Sequence, residues 1–147
     1  MGKGQLNITR VHDFEKNAQR VGVDKILVEG KDKPFVGIRE LYKGDNDEWL
    51  PSQKGVTFPA EYIEKAIEAI DEAIPMDVYP DGGKELAVIP KNSKEQVRIT
   101  ATKYLNKEYV DFRIYFTKDD EYHPTKKGVT IPPDCLEELR EGLTRFN

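Results

Sequence analysis

The feature that most constrains the fold is a motif that the chain contains twice. PSQKGVTFP begins at Pro51, and PTKKGVTIP begins at Pro124. A second pair of matching segments lies upstream, FVGIRELY at Phe35–Tyr42 and YVDFRIYF at Tyr109–Phe116. The second copy is one residue shorter between its two segments, a difference that a surface loop absorbs. Because each copy of a repeat is one structural unit, the chain is predicted to contain the same unit twice.

Each unit is predicted to contain four β-strands and then one α-helix. Near-alternation of apolar and polar residues predicts strands at Val97–Tyr104 and Tyr109–Phe116. Pro59 and Pro132 stand where a helix would begin, and apolar residues recur at helical spacing after each of them. The order is therefore β-β-β-β-α in each copy, and the fold class is α+β. Short first strands are expected at Leu6–Val11 and Leu86–Pro90.

The repeat also predicts the domain organisation. We expect a first repeat over residues 1–75, a linker rich in Pro and Gly over residues 76–84, and a second repeat over residues 85–147. A four-stranded sheet with a single helix leaves apolar surface and strand edges open. The two repeats are therefore expected to pack against each other within one chain.

The net charge of −4 is distributed unevenly along the chain. Acidic residues concentrate in the two predicted helical segments, 59–74 and 132–147, which leaves the rest of the chain weakly basic. An acidic protein of this kind can still present a basic face, so a nucleic-acid partner is not excluded.

The composition also bears on location. The apolar runs are too short for a transmembrane helix, and the single cysteine, Cys135, favours a reducing compartment. We therefore expect a cytoplasmic protein associated with the nucleoid, or a nuclear protein if the source is eukaryotic, and no membrane partner.

Arginine and tyrosine alternate with apolar residues in the predicted strands. Arg113 and Tyr115 share the outward face of their strand, and Arg98 lies on the outward face of the strand before it. Guanidinium groups bind phosphate, and aromatic rings stack on unpaired bases with about 1–3 kcal/mol per base. A solvated face with cross-strand pairs would show the same alternation. Arg39 repeats Arg113 in the first copy, and this repetition favours nucleic-acid binding.

Each copy of the motif contains a Lys-Gly pair, Lys54-Gly55 and Lys127-Gly128, and Lys126 adds a cation to the second. Glycine beside lysine lets the backbone approach a phosphate closely while the ammonium group supplies charge. A bulge glycine at the entrance to a strand explains the same pair equally well. Both interpretations stay open at the level of sequence.

No group of residues indicates catalysis or a cofactor. His12 and His123 have no Cys or carboxylate at metal-ligand spacing, which argues against a zinc site. Cys135 has no counterpart in the first copy, where Tyr62 stands, so a small packed side chain explains it better than a nucleophile. The carboxylates show no spacing that marks an acid–base pair. We therefore expect neither an enzyme nor a bound cofactor.

With these residues in place, each half resembles the single-stranded-DNA-binding domain of the positive-cofactor-four family of transcriptional coactivators. The resemblance rests on IRELY followed by PSQKGVTFP, and on FRIYF followed by PTKKGVTIPP, and it covers most of the chain. It implies a curved antiparallel four-stranded sheet with one C-terminal helix. Members of the family usually pair as homodimers with two channels for single strands, so two copies here imply an intramolecular pseudo-dimer.

The resemblance and the outward-face pattern together indicate a set of nucleic-acid-binding residues. Tyr42 and Phe116 fall where the family commonly has Trp, although Phe116 also has the parity of the core-facing residues. Lys33 and Lys107 fall on the lysine of a turn, and Tyr104 falls on an aromatic residue at the end of the second strand. The complete set is Lys33, Arg39, Tyr42, Lys54, Gly55, Arg98, Tyr104, Lys107, Arg113, Tyr115, Phe116, Lys126, Lys127 and Gly128.

One departure distinguishes the two copies. Gly30 aligns with Tyr104, so the first copy is expected to lack one stacking ring. The first channel is therefore expected to bind less well than the second, or to bind asymmetrically.

The function predicted from the sequence is binding of single-stranded or melted DNA with little sequence preference. Such a protein would be an accessory to transcription or DNA maintenance, with transcription or replication proteins as candidate partners. One alternative is an RNA-binding module of the same fold, since stacking and phosphate contacts do not require deoxyribose. Another is a protein-interaction scaffold that uses the acidic helices.

Overall fold

The computed structural model describes residues 6–146 and contains two four-stranded antiparallel sheets, each followed by a helix. The first repeat comprises β1 (Leu6–Lys16), β2 (Gln19–Val28), β3 (Phe35–Lys43), β4 (Trp49–Pro59) and α1 (Ile63–Ala73). The second comprises β5 (Lys84–Pro90), β6 (Glu95–Tyr104), β7 (Lys107–Lys118), β8 (Glu121–Ile131) and α2 (Leu136–Thr144). In each sheet the strands lie side by side in chain order. The predicted α+β fold of two tandem β-β-β-β-α units is confirmed.

The alternation seen in the sequence separates core from surface. Val110, Phe112 and Ile114 are buried on one face of β7, while Arg113 and Tyr115 lie on the other face and are only partly covered. A tight turn joins β6 to β7, and its two residues, Leu105 and Asn106, both have positive φ, as a two-residue hairpin connection requires.

Two sequence expectations about the first repeat are corrected. The first strand does not stop at Val11 but continues to Lys16, past a register shift near His12. A strand with such an irregularity has no continuous period-two pattern, so its second half could not be recognised from alternation.

The second correction concerns the register of β2. Lys25 pairs with Val36, and Ala101 pairs with Val110, so the two repeats superpose Lys25 on Ala101. Counting along the strands then places Val28, and not Gly30, at the position of Tyr104. The expected alignment was wrong because the connection from β2 to β3 is longer than the connection from β6 to β7, and Gly30 lies within it.

By the same register, Gly22 takes the place of Arg98. Gly22 pairs with Arg39, as Arg98 pairs with Arg113. A Cβ atom on Gly22 would lie 3.0 Å from Nε of Arg10, so the Arg10 side chain occupies the space above this glycine.

One hydrophobic core is shared by both repeats. Buried side chains from both sheets and both helices form a single cluster. The segment between α1 and β5 joins this core through Tyr79, which is fully buried. The Tyr79 hydroxyl donates a hydrogen bond to the Ala73 carbonyl (3.2 Å), and the Tyr79 amide donates one to Glu108 Oε2 (2.8 Å). The two repeats thus form an intramolecular pseudo-dimer whose connecting segment is itself packed.

Several polar contacts cross between the repeats, and two of them involve Lys16 and Arg140. Lys16 Nζ donates to Glu40 Oε2 (2.9 Å) in its own repeat and to Thr130 Oγ1 (3.2 Å) in the other. Arg140 on α2 pairs with Asp71 on α1. Neither helix has the length and apolar character needed to cross a membrane, within the part of the chain that the structure describes.

Candidate nucleic-acid interface

The repeated motif forms a bulge in the last strand of each sheet. In the first repeat, the pairing of β3 with β4 shifts register between Arg39 and Leu41, so Ser52 and its two successors bulge outward. The Ser52 hydroxyl donates to the Glu40 carbonyl (2.8 Å) and accepts from the Lys54 amide (3.1 Å). The hydroxyl of the motif therefore fixes the shape of the bulge.

The second repeat contains the same bulge. The pairing of β7 with β8 shifts between Arg113 and Tyr115. The Thr125 hydroxyl donates to the Ile114 carbonyl (2.8 Å) and accepts from the Lys127 amide (3.1 Å). Ser or Thr at this place in the motif is thus explained by two backbone hydrogen bonds, a role that the sequence alone did not indicate.

The glycine of the motif makes room for the arginine. Gly55 lies opposite Arg39, and a Cβ atom on Gly55 would be 2.1 Å from the Arg39 Cβ atom. Gly128 lies opposite Arg113, and its added Cβ atom would be 2.7 Å from the Arg113 Cζ atom. Both glycines are buried, which supports the bulge-glycine interpretation of the Lys-Gly pairs over direct backbone contact with phosphate.

The bulge also holds each guanidinium group. Arg39 Nη1 donates to the Ser52 carbonyl, and Arg113 Nη1 donates to the Thr125 carbonyl, both at 2.9 Å. The motif therefore orients one arginine in each sheet. The hydrogen bonds of the bulge and of the arginine Nη1 atom are the same in both copies.

Beyond the bulge, the environments of the two arginines differ. Arg39 Nη2 donates to Thr57 Oγ1 (3.0 Å), so both of its side-chain hydrogen bonds go to uncharged oxygens. Burial lowers the pKa of Arg39, and the nearby Asp24 charge opposes that shift. Asp24 itself is buried and is paired with Arg10. Among residues 6–146, no carboxylate forms an ion pair with Arg39.

Arg113, in contrast, is held by a carboxylate from its own strand. Its Nε and Nη2 atoms donate to the two oxygens of Asp111 at 3.0 and 2.9 Å. The hydrogen bonding of Arg113 to the Asp111 carboxylate raises the pKa of Arg113, against the effect of burial. The position equivalent to Asp111 in the first repeat is Gly37, which has no side chain to offer. A bidentate pair satisfies both charges, so Arg113 is less available to an external anion.

Arg39 faces a pocket that is built from both repeats. Lys91 and Lys127 of the second repeat line it together with Arg39, Gln53 and Thr57 of the first, and its volume is about 420 Å³. Burial lowers the pKa of Lys91, Glu95 opposes the shift, and the charges of Lys127 and Arg39 lower the pKa further. We call this pocket, whose cationic residues are Arg39, Lys91 and Lys127, the seam pocket.

An apolar pocket adjoins the seam pocket. Its volume is about 500 Å³, and its apolar lining includes Ile8, Ile26, Val28 and Phe35. The two pockets also share lining residues, which are Arg39, Gln53, Thr57 and Lys91. The first sheet thus presents an apolar hollow directly beside a cationic one.

On the second sheet, two tyrosine rings lie close to Arg98. Its Cζ atom lies 4.4 Å from the ring centre of Tyr115 and 5.5 Å from that of Tyr122, and its Nε atom donates to Gln96 Oε1 (2.7 Å). Tyr122 was not among the predicted residues because it lies in the strand after a turn, beyond the aligned motif. This face resembles a stacking platform whose rings are already occupied by a guanidinium group.

The remaining predicted residues lie at the periphery. Tyr104 (68% exposed), Tyr42 (52%) and Phe116 (38%) are open to solvent. Phe116 has core parity but lies near the end of β7, beyond the buried part of the sheet. The lysines of the set are all exposed, namely Lys33, Lys54, Lys107, Lys126 and Lys127. Of these, the structure brings only Lys127 into the seam pocket, and Lys107 lines a different pocket.

Lys91 is a candidate residue that sequence reasoning missed. It follows β5 in a short connection and belongs to no repeated motif. Its place beside Arg39 depends on how the two repeats pack, which no local pattern reveals. Within residues 6–146, no group of His, Cys, Asp and Glu has a geometry that could hold a metal ion.

These features define a class of protein, a tandem sheet-and-helix fold in which each sheet orients an arginine through a Ser/Thr–Lys-Gly bulge. Residues 19–69 and 91–142 match the family model described as Transcriptional Coactivator p15 (PC4). The two segments make up more than half of the chain, which therefore belongs to this family and contains two PC4-like copies in tandem.

Solved structures similar to this chain include BPSL1147, a PC4 homolog from Burkholderia pseudomallei, in two crystal forms. The orthorhombic form is 32% identical, with a TM-score of 0.41, and the match covers 42% of this chain and 85% of that one. The tetragonal form is 32% identical, with a TM-score of 0.40, and the match covers 42% and 93%. No curated protein matches the chain.

Proposed function

We propose that this protein binds single-stranded or melted DNA with little sequence preference, through the outward faces of its sheets. The observation that carries the proposal is the seam pocket, in which a half-buried arginine without a carboxylate partner lies beside two lysines. Membership of the PC4 family supports it. The action is stoichiometric, and it suits an accessory protein of transcription or DNA maintenance, located at the nucleoid or in a nucleus.

The proposed binding combines two kinds of contact, one to the phosphates and one to the bases. Phosphates bind to guanidinium and ammonium groups, while unpaired bases lie on apolar or aromatic side chains. Duplex DNA keeps its bases stacked inside and bends only at a cost, so its bases cannot reach a sheet surface. A flexible single strand can follow the sheet and use both kinds of contact.

A titration of fluorescein-labelled oligothymidylate, followed by fluorescence anisotropy, tests this proposal. We expect a dissociation constant of roughly 1 µM or below at low salt, with an affinity that falls steeply as salt rises because bound phosphates displace counterions. Unlabelled duplex of the same nucleotide content should compete poorly. Absence of binding at low salt, or binding that salt does not affect, would contradict the proposal.

Competition with an RNA oligomer of the same sequence distinguishes DNA binding from the RNA-binding alternative. Preference for RNA over DNA of the same sequence would indicate the RNA-binding module instead. If no oligomer binds, the acidic outer surfaces of α1 and α2 become the better candidate for a binding surface. The exposed acids of these helices include Glu64, Glu68, Glu137 and Glu138.

A further inference from the structure

We propose that the two repeats bind unequally, and that the seam pocket of the first repeat is the principal phosphate site for one DNA strand, with the attached base in the adjoining apolar pocket. This inference rests on the proposed function and deepens it. It also reverses the order expected from the sequence, in which the first repeat was the weaker one.

The second repeat contains a pseudo-symmetric counterpart of the seam pocket, in which Arg113 corresponds to Arg39. Lys16 corresponds to Lys91, since Lys16 ends β1, Lys91 directly follows β5, and each approaches the other repeat. Lys16 contacts Thr130, and Lys91 lines the seam pocket with the equivalent threonine, Thr57. Two comparable sites were therefore created by the duplication.

At the counterpart site around Arg113, carboxylates already neutralise the cations. Asp111 holds Arg113 in a bidentate pair. Glu40 pairs with Lys16 at 2.9 Å, and both side chains are largely buried, with 13% and 9% exposure. An external phosphate would have to displace internal carboxylates from both cations, and the gain from the new contacts would be offset by the loss of the old ones.

At the seam pocket, counterparts of both carboxylates are missing. Gly37 stands where Asp111 stands, and Ile114 stands where Glu40 stands. Ile114 itself lines the seam pocket. Glu95 approaches Lys91 only to 4.0 Å, the outer limit of an ion pair. Three cations therefore share one hollow with little internal compensation.

The donors of the seam pocket also remain partly free. A guanidinium group has five N–H donors, and the hydrogen bonds of Arg39 to Ser52 and Thr57 engage one on each of two nitrogens. Arg39, Lys91 and Lys127 line one pocket, and the charges of Lys127 and Arg39 lower the pKa of Lys91. A phosphate in this position would relieve the repulsion among them.

The neighbouring apolar pocket fits the other half of a nucleotide. Its volume of about 500 Å³ is within the range of small-ligand sites, and aliphatic side chains supply most of its apolar lining. Val28 lies there, at the position that Tyr104 occupies in the second repeat. A base would therefore rest on aliphatic carbon instead of stacking on a ring, while its phosphate reached Arg39.

An exchange of the residue two positions before the arginine tests the inequality. Gly37→Asp brings the carboxylate of the second repeat into the first, and Asp111→Asn removes it from the second. A Cβ atom at Gly37 meets only side chains, the nearest being Ile26 Cδ1 at 3.1 Å, so this variant should fold. We expect Gly37→Asp to weaken binding of a short oligothymidylate roughly tenfold and to lower the salt slope by about 0.7, the value for one phosphate on a single strand. Asp111→Asn should leave the affinity unchanged or raise it.

Two further variants keep the test decisive if Gly37→Asp does not fold. Arg39→Ala should weaken binding about tenfold, and Arg113→Ala by less than about threefold. Lys65→Ala, on the exposed face of α1, carries the same charge change and is the control for long-range electrostatics. Equal losses for the two arginine variants, or no effect of Gly37→Asp in a folded protein, would overturn the inequality and leave the proposed function standing. Failure of the unaltered protein to bind any oligomer would overturn both.

Discussion

Gly55→Ala is expected to lower the free energy of unfolding by about 3 kcal/mol, as overpacking at a site that cannot relax does. The added methyl group would lie 2.1 Å from Arg39 Cβ and 2.5 Å from the Ile38 carbonyl oxygen. Both of these atoms belong to the adjacent strand or are fixed directly to it, so relief requires the two strands to separate. Chemical denaturation measures the change, provided that the slope of the unfolding free energy against denaturant concentration is the same for the variant and the unaltered protein.

Gly82→Ala is the matched control for that measurement. Nothing lies within 4 Å of a Cβ atom at Gly82, so its substitution should leave stability nearly unchanged. Gly128→Ala should behave like Gly55→Ala, although its nearest neighbour is the Arg113 Cζ atom, which belongs to a longer and more flexible part of a side chain. If Gly55→Ala were as stable as Gly82→Ala, the bulge geometry described here would be wrong.

Glu40→Ala is expected to destabilise the protein by about 3–5 kcal/mol, because it leaves a buried ammonium group without its carboxylate. The Lys16 side chain is only 9% exposed, and after the change its remaining side-chain partner would be the hydroxyl of Thr130. Glu40 and Lys16 belong to the same repeat, but Lys16 also donates to Thr130 of the other repeat, so loss of Glu40 should weaken the packing between the repeats as well as the first sheet. Denaturation of the variant at neutral pH provides the measurement.

A double variant shows whether the cost comes from the unpaired charge. Lys16→Met combined with Glu40→Leu removes both charges and should recover most of the lost stability, since apolar residues of similar size replace a buried ion pair at little cost. Glu141→Ala breaks an exposed pair with Arg145 and should have almost no effect. A Glu40→Ala protein as stable as the Glu141→Ala protein would exclude a structural role for the buried pair.

The architecture of the molecule was predictable because the residues of the duplicated motif determine the local structure of each copy. Pro, Ser or Thr, Lys-Gly and an apolar strand specify a bulge and then a helix, and the alternation in β7 identified its buried face. The difference between the two arginines was also readable in principle. Asp111 lies two residues before Arg113, on the same face of the strand, whereas Gly37 occupies that place before Arg39.

Other features depended on information that no local pattern contains. The register of β2 was misjudged because a longer connection shifts Gly30 out of the strand, and only strand pairing reveals this. Lys91 reaches Arg39 through the packing of one repeat on the other. Phe116 was ambiguous because strand parity says which face a residue occupies, but not where the core beneath that face ends.

A comparison of two triple variants tests most directly whether the seam pocket binds phosphate. Arg39→Ala, Lys91→Ala and Lys127→Ala together should weaken binding of oligothymidylate at least ~100-fold, because three charge-assisted contacts to phosphate are lost. Lys65→Ala, Arg140→Ala and Arg145→Ala together remove the same charge from the helices, where the two arginines pair with Asp71 and Glu141. The helix variant should bind within about threefold of the unaltered protein, a margin for long-range effects. Equal losses in the two triple variants would contradict a phosphate site at the seam of the two repeats.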